Sequence, residues 1–179
     1  MESEETLAVQ IIVLVQPPMV ETSLRETLNA VRAAPVARRV VALGGTDGEW
    51  LPAGFDLIGQ HGGGYGERVA AVLADAYATA TFPMLLVRPD VSRITPDVLA
   101  DAAWTLASGE ADAAYGPSHD GGFWLLGLSR PDRSLVLGLP GPHEGGEPGG
   151  RLLLDRLASA RLRVALAPRL HVARAPAFR

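Results

Sequence analysis

The feature that most constrains the fold is a nearly continuous apolar run close to the start of the chain, Leu7–Val15, which reads LAVQIIVLV. A β-branched run of this kind, followed by Pro17 and Pro18, is typical of a parallel strand that is buried on both faces. Glu21–Ala33 then shows helical spacing of its apolar residues, and residues 38–43 form a second apolar run. The pattern predicts a strand–helix–strand unit with the first strand in the centre of a sheet.

The same alternation continues to residue 166. It predicts further strands at 55–58, 83–87, 111–115, 122–128 and 163–166, and helices at Tyr65–Thr79, at Pro96–Ala107 and from 152 onward. Thr95 before Pro96 is a helix-start signal, because threonine caps the first turn and proline suits the first helical position. We therefore predict a three-layer α/β/α sandwich with a mainly parallel sheet.

The 179 residues fit a single domain, 1–179, with its core at 7–166. Residues 138–150 are rich in glycine and proline, which indicates a flexible surface loop or a lid beside a site. Residues 173–179 are expected to form a loose tail. The acidic first residues do not resemble a secretory signal, and the apolar run is too short to span a bilayer. We expect a cytoplasmic protein.

Composition narrows the class of partner. The formal charge of -4 comes without a basic stripe, which argues against nucleic acid or a membrane surface and favours a small molecule. With no cysteine, the chain has no disulfide and no thiolate nucleophile. All 16 basic residues are arginine, which excludes a Schiff-base lysine and a P-loop lysine but leaves phosphate binding by arginine possible.

Unusual loops follow four of the predicted strands, at residues 16–18, 60–68, 88–90 and 116–122. In an open α/β sheet, ligands bind beyond the carboxyl ends of the strands, so these loops together predict a ligand site. In the last of them, Asp120 precedes Gly121 and Gly122, which let a backbone approach a ligand closely, and the apolar run from Phe123 anchors the loop.

The loop at 60–68 reads QHGGGYGER and runs into a predicted helix. Free N–H groups at a helix start can hold an anion, with Arg68 adding a positive charge. A flexible loop with a solvated Glu67–Arg68 pair explains the same residues equally well. The run matches neither the dinucleotide nor the Walker pattern.

Asp90 follows a strongly apolar strand, where a carboxylate could hold a hard divalent cation together with nucleotide phosphates. On this residue alone, a turn residue after Pro89 is the favoured interpretation. Ser118, His119 and Asp120 do not predict a hydrolytic triad, because contiguous residues cannot form the required relay. The four histidines lack metal-ligand spacing, so zinc is not expected.

Three elements in order resemble one bacterial family over about residues 7–166. They are Gln60-x-Gly62-x-x-x-Gly66-Glu67-Arg68, then Asp90 with Thr95-Pro96-x-x-Leu99, then Gly116-Pro117-x-x-Asp120-Gly121-Gly122-Phe123-x-Leu125-x-Gly127-Leu128. The chain resembles the bacterial glycosyltransferase-A-like family of the radical-SAM-associated transferase type. That family is similar in fold to the molybdenum-cofactor and phospholactate guanylyltransferases.

The resemblance implies a nucleotide-diphospho-sugar transferase fold that uses Mg²⁺ or Mn²⁺ and a nucleotide-sugar ligand. It implies that Asp90 binds the metal and acts with Asp120 in catalysis, with His171 a poor substitute for a second metal ligand. Substrate binding is implied for the first-strand loop, the glycine loop and the Asp-Gly-Gly loop, at Gln16, Pro17, Gln60, Gly66, Arg68, Arg88, Gly121, Gly122 and Phe123.

The sequence also departs from the family pattern. Residues 16–24 contain no cation where the pattern has a lysine- and arginine-containing loop, and Arg88 stands where the pattern has glycine. Three functions stay open: a glycosyltransferase in which Arg88 or Arg25 replaces the missing cations, a catalytically inactive binding or partner protein, and a nucleotidyltransferase. A glycosyltransferase that acts on a small-molecule acceptor is the favoured hypothesis.

Overall fold

A computed structural model of the chain describes residues 5–16, 21–44, 50–142 and 146–173. The strands are β1 (Leu7–Val15), β2 (Val36–Leu43), β3 (Asp56–Gly59), β4 (Met84–Val87), β5 (Ala113–Pro117), β6 (Phe123–Leu128) and β7 (Val164–Leu166). The helices are α1 (Glu21–Ala33), α2 (Tyr65–Thr79), α3 (Pro96–Ala107), α4 (Arg133–Val136) and α5 (Gly150–Ser159). Of these elements, only α4 was not predicted from the sequence.

The strands form one sheet of seven in the order β3-β2-β1-β4-β6-β5-β7. Strands β3, β2, β1 and β4 pair in parallel, β6 pairs antiparallel with both β4 and β5, and β7 is parallel to β5. The predicted α/β sandwich with a mainly parallel sheet is confirmed. Strand β1 lies inside the sheet between β2 and β4, and β4 occupies the middle position.

Two hydrophobic clusters cover the two faces of the sheet, which is what makes the sandwich three-layered. One cluster contains the buried residues of α1 and α3, such as Val31 and Leu99, and the other contains those of α2, α4 and α5, such as Leu73 and Leu157. The continuous apolar character of β1 follows directly, because its side chains alternate between two covered faces.

Gln10 is the one polar residue of β1, and it is fully buried. Its side-chain amide donates to the carbonyl oxygen of Ala80 at 2.7 Å, and its Oε1 accepts from Arg38 Nη1 at 2.8 Å. Because both ends of the amide are paired, burial leaves no unsatisfied polar atom there.

Helix boundaries follow from local capping. Thr95 Oγ1 accepts from the N–H of Val98 at 3.2 Å, which confirms the predicted start of α3. The short helix α4 begins after Asp132, whose Oδ1 accepts from the N–H of Ser134 at 3.0 Å. Four residues are too few for helical periodicity to be visible in the sequence.

Within the described parts of the chain, no helix combines the length and the apolar character that crossing a membrane requires. Residues 143–145 of the glycine-rich loop and 174–179 of the expected tail lie outside the described residues.

Gly66 is a packing glycine of α2. A Cβ atom placed on it would lie 2.2 Å from the carbonyl oxygen of Val136 and 2.8 Å from the N–H nitrogen of Gly138. Helix α2 can therefore approach the segment after α4 only because this position has no side chain.

We expect Gly66→Ala to lower the free energy of unfolding by about 3 kcal/mol, because backbone overlap outweighs the roughly 1 kcal/mol that alanine adds to helix propensity. Urea denaturation measures this difference. Gly59→Ala is the matched control, since no atom lies within 4 Å of its added Cβ. Equal effects of the two substitutions would contradict the prediction.

Candidate functional site

The predicted ligand loops meet at one edge of the sheet. Strands β1 and β4 run in parallel with Val13 opposite Val87, so the residues after both strands emerge on the same side. Strand β5 ends at this edge as well, because it pairs antiparallel with β6, which pairs antiparallel with β4. We call the following set the edge site: Gln16, Gln60, Arg88, Asp90, Ser118, Asp120 and Gly122.

Arg88 lies at the centre of the edge site, and all three nitrogens of its guanidinium contact side chains of that site. Its Nε donates to Asp90 Oδ1, and its Nη2 donates to Asp90 Oδ2 at 3.0 Å. The same Nη2 donates to Asp120 Oδ2 at 2.9 Å, while Nη1 lies 3.4 Å from both Asp120 Oδ1 and Ser118 Oγ. One guanidinium therefore bridges two carboxylates that come from different strand ends.

The surroundings of Arg88 hold it in this position. It is 7% exposed, and its backbone N–H donates to the carbonyl oxygen of Trp124 at 2.9 Å. The next carbonyl, that of Pro89, accepts from the hydroxyls of Ser23 and Thr27 on α1, at 3.0 and 3.4 Å. Burial disfavours the charged form of Arg88, but the hydrogen bonds that it donates to Asp90 and Asp120 outweigh this effect and raise the pKa of the guanidinium.

Asp120 lies in a tight turn that its own carboxylate stabilises. Its Oδ1 accepts from the hydroxyl of Ser118 at 2.5 Å and from the N–H of Gly122 at 3.1 Å. Burial opposes ionisation of this carboxyl, but the hydrogen bonds from Arg88 and Ser118 prevail and lower its pKa below the ordinary value. The turn is thus fixed with Asp120 ionised.

Tyr65, the first residue of α2, lies close enough to the edge site for the charges there to influence the pKa of its phenol. It is 4% exposed, and burial raises the pKa of its phenol to about 12, with the Arg88 charge acting in the opposite direction. The phenol is therefore neutral at physiological pH and can act only as a hydrogen-bonding group.

The structure brings Gln16 and Gln60 together, as the sheet-edge argument predicted. Gln60 Nε2 donates to the carbonyl oxygens of Val15 and Ala42, at 2.8 and 2.9 Å, and its Oε1 lies 3.5 Å from Gln16 Nε2. The Gln60 amide therefore joins the ends of β1 and β2. Pro17, predicted to bind substrate, lies outside the described residues.

The glycine loop before α2 is folded onto its own side chains. The N–H of Gly63 donates to Glu67 Oε2 at 2.9 Å, and Arg68 Nη1 donates to the carbonyl oxygen of Gly63 at 3.2 Å. A glutamate carboxylate therefore stands where a bound anion was predicted. Gly66 is buried against residues 136–139. The predicted roles of Gly66 and Arg68 in substrate binding stay predictions.

The remaining predicted residues surround the Asp-Gly-Gly turn. Gly121 has a φ of +84°, and its added Cβ would lie 2.8 Å from Pro148 Cγ. The N–H of Gly150 donates to the carbonyl oxygen of Gly121 at 3.2 Å. Phe123 is buried at the start of β6. The described part of the glycine-rich loop thus packs on this turn, beside the edge site. Arg25 lies on α1, exposed and paired with Glu21 at 3.1 Å.

Sequence reasoning missed a stacked pair of histidines next to the edge site. The rings of His119 and His171 lie with centroids 3.6 Å apart and planes 9° from parallel. The N–H of His119 also donates to the carbonyl oxygen of Leu170 at 2.9 Å. The pKa of His119 is lowered, mainly by desolvation and to a smaller extent by the nearby charges of His171 and Arg169. No local signal joins residues so far apart in the sequence.

The divalent cation implied by the family resemblance does not fit the edge site in this arrangement. The carboxylates of Asp90 and Asp120 both bind Arg88, and His171 stacks on His119. Among the residues that the structure describes, no three histidine, aspartate or glutamate side chains gather as a metal-ligand group.

The sheet order and the position of the edge site define a chain with the fold of the nucleotide-diphospho-sugar transferases. The family model for DUF2064, described as "Uncharacterized protein conserved in bacteria", matches residues 27–140. The protein therefore belongs to the DUF2064 family. No curated protein sequence matches the chain.

Solved structures show the same fold. A candidate nucleotide-diphospho-sugar transferase from Desulfovibrio desulfuricans G20 superposes with a TM-score of 0.76 at 20% identity, covering 93% of this chain and 82% of that one. Glucosyl-3-phosphoglycerate synthase from Mycobacterium tuberculosis, in complex with Mn²⁺, UDP-glucose and phosphoglyceric acid, gives 0.62 at 14% identity, covering 97% and 72%. A 4-diphosphocytidyl-2C-methyl-D-erythritol synthase gives 0.62 at 14% identity, covering 89% and 88%.

Asp120→Asn should lower the free energy of unfolding by about 2 kcal/mol at pH 7, because it removes a charged partner of buried Arg88. The pKa of Asp120 is lowered on folding, so its contribution is complete above the ordinary carboxyl value and is lost as pH falls through the folded value. The difference between wild type and variant in urea denaturation should therefore shrink below about pH 4. Exposed Asp155, changed to asparagine, is the control. A pH-independent difference would contradict the prediction.

The histidine stack should make the protein less stable on mild acidification. Because the pKa of His119 is lowered on folding, the unfolded chain takes up its proton first, and stability falls as pH drops below about 6.5. His119→Phe keeps a ring for stacking and removes this titration. Melting temperatures measured from pH 8 to pH 5 should fall less steeply for the variant, and an unchanged slope would exclude His119 as the cause.

Proposed function

We propose that this protein is a nucleotide-sugar-dependent glycosyltransferase that transfers a sugar to a small-molecule acceptor in the cytoplasm. The observation that carries the proposal is the pair of carboxylates, Asp90 and Asp120, held by Arg88 at the carboxyl edge of a transferase fold. Gln16 and Gln60 lie at the same edge. Ligands of open α/β sheets bind at this edge. The radical-SAM-associated type of the family is part of the proposal.

The side chains of the edge site suit a polyhydroxylated ligand. Carboxylate and amide oxygens accept hydrogen bonds from sugar and ribose hydroxyls, and the amide of Gln16 can also donate, whereas the amide nitrogen of Gln60 already donates to Val15 and Ala42. The turn at Asp120 is fixed by its own hydrogen bonds, so its acceptors need no rearrangement before a ligand arrives. Breaking the sugar–phosphate bond leaves negative charge on the departing diphosphate, and Arg88 is the cation of the edge site.

A second candidate is a binding protein without transferase activity. Arg88 already faces two carboxylates, so the cluster as a whole carries negative charge, which opposes a diphosphate. In addition, residues 16–24 carry no cation in the sequence. These observations favour recognition of a sugar-like ligand without cleavage.

Binding and turnover measurements separate the candidates. We expect a nucleoside diphosphate or nucleotide sugar from a panel of bases to raise the melting temperature, since a ligand at 100 times its Kd adds about 2.7 kcal/mol of stability. The donor that binds should then release nucleoside diphosphate in the presence of an acceptor mixture. Asp120→Asn should abolish the release, and Asp155→Asn should retain it.

Other outcomes would favour a different function. Binding without release, under the same conditions, would identify the binding protein. Release of pyrophosphate from a nucleoside triphosphate would identify a nucleotidyltransferase, the third function left open by the sequence. No thermal shift with any member of the panel would refute nucleotide-sugar recognition altogether.

A further inference from the structure

We infer that the Arg88 guanidinium takes the place of a divalent cation in the edge site, so that the wild-type site does not bind Mn²⁺ and loss of the Arg88 side chain creates a Mn²⁺ site. This replacement of the metal ion by Arg88 does not depend on whether the protein transfers a sugar.

Arg88 occupies the position that a bridging divalent ion would take. Nη2 of Arg88 lies 3.0 Å from Asp90 Oδ2 and 2.9 Å from Asp120 Oδ2, so one nitrogen stands between oxygens of the two carboxylates. A hard divalent ion that bridged these two oxygens would take the same position, at roughly 2.0–2.6 Å from each. The guanidinium and the metal ion therefore exclude each other.

Arg88 also occupies the carboxylate oxygens that a metal ion would need. Asp90 receives Nε and Nη2 on its two oxygens, and Asp120 receives Nη2 on Oδ2. Asp120 Oδ1 already accepts from Ser118 and Gly122. A planar guanidinium fork matches carboxylates in this way and remains protonated at any physiological pH, so protonation equilibria do not vacate the position.

Packing around Arg88 also holds its side chain in place. Its side chain is 8% exposed, and its backbone is held by Trp124 on one side and, through Pro89, by α1 on the other. A Cβ on Gly122 would lie 3.3 Å from Nη1, so the turn closes tightly over the guanidinium. Displacement by a metal would require this packing to open.

The chain contains a matched comparison at Arg163. This arginine makes the same type of forked contact with Asp112, with Nη2 at 3.1 Å from Oδ1 and Nε at 3.2 Å from Oδ2. The pair is exposed and contains a single carboxylate. Removing Arg163 therefore frees one carboxylate, whereas removing Arg88 frees two that converge.

The test is a titration of the full chain with MnCl₂, followed by the loss of the free Mn²⁺ signal in electron paramagnetic resonance. Wild type should show no site up to about 1 mM, and Arg88→Ala should bind one Mn²⁺ at least roughly 10-fold more tightly than that limit. Arg163→Ala should behave like wild type. Arg88→Ala combined with Asp90→Asn or Asp120→Asn should lose the new site.

Thermal unfolding gives an independent readout. Saturating Mn²⁺ should raise the melting temperature of Arg88→Ala by on the order of 5 °C and leave that of wild type unchanged. One equivalent of Mn²⁺ bound by wild type and lost in Asp90→Asn would overturn the inference. So would a folded Arg88→Ala, verified by circular dichroism, that binds no Mn²⁺. Should Arg88→Ala fail to fold, the wild-type titration still decides the first half of the inference.

Discussion

The buried ion cluster of Arg88 with Asp90 and Asp120 is the interaction on which the edge site depends. The loops after β4 and β5 come from strands that are not neighbours in the sheet, and Arg88 is the side chain that joins them. Arg88 is a buried cation that binds two carboxylates. Loss of one carboxylate is costly, because the arginine keeps its full desolvation penalty with fewer charged partners to offset it. The cluster therefore fixes the position of the two loops relative to each other. An exposed pair such as Arg25 with Glu21 contributes much less to stability.

Close approach between backbone segments is the second constraint. It accounts for glycines that the sequence assigned to ligand binding. Gly122 leaves room for the guanidinium, Gly121 leaves room for Pro148, and a Cβ on Gly150 would lie 2.5 Å from the carbonyl oxygen of Gly121. Gly66 has the same function between α2 and the segment after α4. A glycine-rich motif can thus serve contacts within the protein as well as contacts with a ligand.

The sequence predicts the parts of this structure that local pattern determines. The apolar run of β1, the helical spacing of α1 and the cap at Thr95 each depend on neighbouring residues, and each is found in the structure. The meeting of Gln16 with Gln60 follows from parallel strands ending at one edge. The bridge made by Arg88 and the stack of His119 on His171 could not be predicted, because they depend on how distant loops pack. An arginine after a strand looks the same in sequence whether it faces solvent or two carboxylates.

A cation that belongs to the chain differs from a bound metal ion in one consequential way. The stability of a metal-binding protein depends on the concentration of the ion, because binding of the ion stabilises the folded state. Arg88 is present at a fixed stoichiometry, and its pKa is raised by the carboxylates it binds, so its charge does not depend on any solute. The geometry of the Asp120 turn is consequently set by folding alone. Any ligand of the edge site meets acceptors that are already oriented, and their orientation does not require a metal ion to arrive first.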